Sequence, residues 1–80
     1  MDIELARHVI RTNFRCSREL QDLMYLLKQQ LPETEYKVHA HSIASVIAAM
    51  GQALMDKAIL GHPELNQEIE QSLAKYDRYL

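Results

Sequence analysis

From Ile43 to Leu60 the chain is apolar almost all the way round a helix. Ser45, Gln52, Asp56 and Lys57 are its only polar side chains, and Ser45, Gln52 and Asp56 fall on one narrow strip at about 100° per residue. A surface helix buries one stripe, whereas a helix apolar over most of its circumference is surrounded. With 80 residues the chain has few elements that could surround anything. The stretch therefore implies a partner chain.

Chain length sharpens that inference. A single core of this size only just offsets chain entropy, and small domains escape through disulfides, metals or association. Cys16 is the sole cysteine, so there is no intrachain disulfide and no zinc-type cysteine pair. Self-association remains. The same cysteine usage, and an N-terminal Met1-Asp2-Ile3-Glu4-Leu5 without a basic patch or apolar run, fit a cytosolic (cytoplasmic) chain. Uninterrupted apolar tracts are short, so no membrane span is expected. The net charge of −2 argues against a chain built mainly to hold nucleic acid.

Periodicity gives an all-α domain covering residues 1–80, with helices at about 3–30, 35–60 and 63–79. In the first, Ala6, Ile10, Asn13, Ser17, Leu20, Met24, Leu27 and Leu31 recur at steps of four and three, widened by Val9, Cys16 and Leu23. Asp2 is the expected N-cap, and Pro32 ends the helix by disfavouring helical geometry at Leu31. Tyr36, Ala40, Ile43, Ile47, Met50 and Leu54 continue the rhythm in the second helix. Thr34 is its expected cap, Ser42 the alternative start, and Gly61 the left-handed residue that stops it. Pro63 should open the third, with Leu65, Ile69, Leu73, Tyr76 and Leu80 as its stripe.

Short corners imply an up-down-up arrangement. At 1.5 Å per residue the first two helices each span roughly 40 Å and the third only about 25 Å. One short helix leaves part of the groove open, around Leu23, Met24, Leu27, Leu31, Tyr36 and Ile43. A second copy would cover it, making a four-helix core from two pairs of long helices. The expected interface is Leu23, Met24, Leu27, Ile43, Ile47, Met50 and Leu54, with methionines that adapt to a partner. Ala40, Ala44 and Ala48, the series Ser45, Ala49 and Ala53, and Gly51 permit close backbone approach, within the subunit or to another helix.

Three groups of residues could carry chemistry. Arg7, Arg11, Arg15 and Arg18 form a ridge within about 80° of helix one, suited to an anion or nucleic acid. Glu4, Glu19 and Asp22 stand where they can pair with Arg7, Arg15 and Arg18, and Glu64, Glu68 and Glu70 should approach from helix three. The ridge is thus expected to be solvated or internally paired. Asn13, Cys16 and Ser17 form a polar cluster in an apolar stripe, and one such residue often fixes helix register or oligomeric state. Cys16 lacks a positioned base on its own helix, so it reads as an inert thiol. The four histidines, His8, His39, His41 and His62, read as surface or capping residues rather than metal ligands. No phosphate loop or nucleophile elbow is present.

The expectation is a non-catalytic interaction protein, an adaptor, small chaperone or regulatory subunit, acting as a homodimer or with a heterologous partner and needing no cofactor. A nucleic-acid-associated regulator using the arginine ridge is the first alternative. A ligand- or metal-binding bundle around Asn13, Cys16, Ser17 and a histidine is the second.

Overall fold

The computed structural model describes all eighty residues, and the protein is all-helical, with three helices and no strand. Helix α1 is Ile3–Gln30. Asp2 Oδ1 accepts the Leu5 N–H at 2.8 Å, satisfying one of the donors that a helix start leaves free. Leu31 is extended (φ −113°, ψ 151°), as its following proline requires.

Helix α2 is one rod over Glu33–Gly61. It starts at Glu33 after Pro32, with no side-chain cap. Thr34 therefore lies inside the first turn rather than capping it, and Ser42 is mid-helix. Proline supplies the start instead: its ring fixes φ, and its carbonyl accepts the Tyr36 N–H at 2.9 Å. Within the rod, Gly51–Met55 form a π turn, closed by the Asp56 N–H donating to the Gly51 carbonyl. The wider turn absorbs an extra residue and re-phases the stripe. Were the rhythm to continue from Leu54, Lys57 would swing toward the packed side. The re-phasing instead brings Met55, Ala58 and Ile59 to the core.

Gly61 has no left-handed conformation. The rod stops because His62 precedes Pro63 and leaves the helical region (φ −141°, ψ 76°). Pro63 and Glu64 form a turn, in which the Leu65 N–H donates to the His62 carbonyl at 3.0 Å. Helix α3 accordingly begins later than Pro63 and ends earlier than residue 79, at Leu65–Tyr76. The left-handed residue of this chain is Asp77 (φ 58°), a side chain that tolerates the conformation. Beyond it the tail turns back as a hook, held by Ser72 Oγ, which donates to the Arg78 carbonyl (2.7 Å) and accepts the Leu80 N–H (3.1 Å).

The core lies at one end of the molecule. Ala6, Ile10 and Asn13 of α1, Ala58 of α2, Leu65 and Ile69 of α3, and Tyr79 of the hook are the buried residues. No residue from Phe14 to Lys57 is buried. His62 Nε2 donates to the Met1 carbonyl at 2.9 Å, and Arg7 Nε donates to both carboxylate oxygens of Glu68 at 3.0 and 3.1 Å, so the same end is also tied by polar contacts. The remainder extends from it as the two long helices and their corner, in a body of 45 × 25 × 15 Å.

Candidate docking surface and basic cleft

Two regions carry the residues singled out by sequence. Along the long helices, Leu23 is 42% exposed, while Met24, Leu27, Ile43, Ile47, Met50 and Leu54 are half-buried. Each is therefore partly covered by its own chain and partly open. Leu26, Val38 and Val46 are also exposed in this part of the molecule. On α2, Val38 and Val46 lie off the Ile43–Ile47 stripe, so this rod shows apolar surface on more than one side. A Cβ added at Gly51 would meet no atom within 4 Å, which excludes close packing within the subunit as the reason for that glycine.

The exposed area can be set against that of a compact chain. A 9.3 kDa monomer is expected to expose about 5,000 Å², whereas this subunit exposes 5,858 Å². Its radius of gyration is 14.7 Å against about 12 Å expected. The excess of about 900 Å² matches the ~800 Å² that each partner hides in a standard interface.

By length and composition α2 also meets the criterion for a membrane span: 29 residues, with an 18-residue window of mean hydropathy 1.4, of which 6% is buried. Counting uninterrupted tracts missed this, because the rod carries its apolar character past Gln52, Asp56 and Lys57.

The arginine ridge is divided. Arg7 pairs with Glu4 and Glu68, and its pKa is raised, chiefly by the hydrogen bond to Glu68. Arg15 and Arg18 do not pair with Glu19 or Asp22: no carboxylate lies within 4.0 Å of either. Nor do Glu64 and Glu70 reach the ridge, since Glu64 instead faces His62 at 3.6 Å. The hook is the reason. It lays Tyr79 and Leu80 beside α1, where Arg11 donates to the Leu80 carbonyl (3.1 Å) and stands 5.3 Å from the centre of the Tyr79 ring. Phe14 meets the same ring at 6.1 Å, tilted by 55°.

Between α1 and this hook is a cleft of about 490 Å³. Arg15 and Arg18 enter it from α1 and Arg78 from the hook, over Phe14 and Tyr79. Periodicity did not single out Arg78; the only hint in the sequence was that Asp77 can turn left-handed and reverse the chain.

The polar cluster is divided as well. Asn13 is 6% exposed and donates to Met55 Sδ at 3.8 Å, but its Oδ1 has no partner. Ser17 lines the cleft and accepts from Gln21 Nε2 at 3.4 Å. Cys16 is half-buried and free. Tyr79 OH is likewise buried without a partner, and burial raises its pKa.

Compared with known proteins, the chain matches no family model, no curated protein and no solved structure.

Proposed function

We propose that this chain is a non-catalytic helical interaction module that works as a homodimer. Its helices run up, down and up, and a second copy seats on the open face of the two long helices to complete a four-helix core. Leu23, Met24, Leu27, Ile43, Ile47, Met50 and Leu54 supply the contact. The observation that carries the reading is the confinement of burial: all buried residues lie at one end, while 44 consecutive residues from Phe14 to Lys57 include none. The excess area of about 900 Å² per subunit is what one side of a standard dimer interface needs.

A second copy is favoured over a bilayer by charge. Asp56 and Lys57 stand inside the apolar stretch of α2, toward its C-terminal end, and charged side chains in a membrane-spanning helix are costly to insert. Both are exposed in the subunit, and association in water can leave them so. It is favoured over a foreign helix because a self-complementary contact hides the same face on both chains.

Sedimentation equilibrium tests the reading directly. The purified chain should have twice its subunit mass at micromolar concentration, and its melting temperature should rise with concentration, as for any fold stabilised by its own association. A subunit-mass species with concentration-independent melting overturns it, as does recovery of the chain only in vesicles or detergent.

A further inference from the structure

We propose that the cleft between α1 and the C-terminal hook binds a small phosphorylated anion. Arginines line it from two separate elements, Arg15 and Arg18 from α1 and Arg78 from the hook. Arg15 makes one hydrogen bond, to Thr12 Oγ1 at 3.2 Å. Neither Arg18 nor Arg78 has a side-chain hydrogen bond, and no carboxylate is within 4.0 Å of any of the three. Asp77 is the one carboxylate side chain in the lining. Arg11 is left out of the balance because the Leu80 carbonyl and the Tyr79 ring already hold it. Three free cations thus face one anion across a concave space.

Like charges drawn together by a fold repel one another, and a ligand of opposite charge relieves that repulsion. Arginine's planar fork matches two oxygens of a phosphate at once, which favours phosphate over a single carboxylate. The volume, about 490 Å³, is that of a small-molecule site. Phe14 and Leu73 add an apolar wall, so the fitting ligand carries at least two negative charges and a flat organic body. Nucleic acid fits less well. A phosphate backbone needs cations in a line along the rod, whereas Arg7 is neutralised by Glu4 and Glu68 and Arg78 lies across the cleft. Nothing in this site depends on the association proposed above.

Titration calorimetry of the full chain with inorganic pyrophosphate and with ADP, at physiological salt, tests the inference. Both should saturate one site per chain with Kd below about 1 mM. ADP should bind more tightly if its ring lies against Phe14. Arg15→Gln with Arg18→Gln should weaken both by at least about tenfold, the loss expected when charge-assisted hydrogen bonds are removed. Arg78→Gln should weaken both similarly, and Lys37→Gln, far away on α2, should change nothing. Circular dichroism of each variant separates loss of binding from loss of fold. The inference is overturned by no saturation with either probe, by an Arg78→Gln variant that binds as well as wild type, or by a single-stranded oligonucleotide that displaces ADP and binds more tightly.

Discussion

Leu23→Ala tests whether a second copy covers the open face, as the homodimer reading requires. Leu23 is 42% exposed in the isolated subunit, so slightly more than half of its side chain is already hidden by its own chain. Full burial of a leucine stabilises by about 2 kcal/mol, so covering the exposed share contributes about 1 kcal/mol. A symmetric interface contains the residue twice, which gives about 2 kcal/mol of association, or roughly a thirtyfold rise in the dimer dissociation constant. The buried share also belongs to the subunit, and its loss should lower unfolding free energy by about 1 kcal/mol. The two effects are separable. Sedimentation equilibrium across a dilution series reads the first, and urea unfolding extrapolated to low protein concentration reads the second. A variant that unfolds more easily yet has a dissociation constant within about twofold of wild type would refute the reasoning, because Leu23 would then matter only inside the subunit.

Three further substitutions test separate parts of the structure. Gly51→Ala should stabilise the chain by about 0.5–1 kcal/mol in thermal unfolding, since Gly51 is helical and no atom would meet the new methyl. A lower melting temperature would mean that another helix occupies that space. Asn13→Leu should be neutral or stabilising by about 1 kcal/mol in urea, because it removes a buried acceptor without a partner; a loss exceeding about 1 kcal/mol would show that Asn13 holds a register the apolar residue cannot. Tyr79 has its pKa raised above the ordinary 10.0 by burial. Its contribution is complete below that value and falls as pH rises through the higher folded one, because only the unfolded chain has ionised in between. Wild type should therefore lose more stability than Tyr79→Phe as pH increases past 10, and equal slopes in the two urea-midpoint profiles would contradict the burial.

The parts of this fold that were legible in sequence are those set by local chemistry. Asp2 caps α1 because a carboxylate beside free N–H groups is favourable in any context, and Pro32 stops α1 because its ring clashes locally. Reading failed where two local rules competed. Thr34 can cap a helix, but Pro32 had already fixed the first turn two residues earlier. Gly61 can turn left-handed, but Pro63 makes the turn unnecessary by forcing His62 out of the helix. The π turn could be found only by following the stripe past Leu54, to the point where an unbroken rhythm would turn Lys57 inward. For the candidate sites, the apolar face was legible because periodicity records which side chains share a side. The basic cleft was not, because it depends on the tail reversing at Asp77 and bringing Arg78 to residues about sixty positions earlier.

The one-sided core has a consequence for how order is maintained along the molecule. A helix pair without a buried side chain is held by helix propensity and partial contact alone, and isolated helices are only marginally stable in water. Polar ties do not compensate, since the long helices beyond Phe14 have a single ion pair, between exposed Lys37 and Glu33, of the kind that contributes little. The end containing Ile10, Leu65 and Tyr79 has a core and can anchor the chain, whereas the corner end gains comparable stability only when its apolar face is covered. In the homodimer reading, association therefore adds to the stability of that end beyond what its partial contacts within the subunit supply. The same logic places the basic cleft, built on the anchored end, outside the coupling.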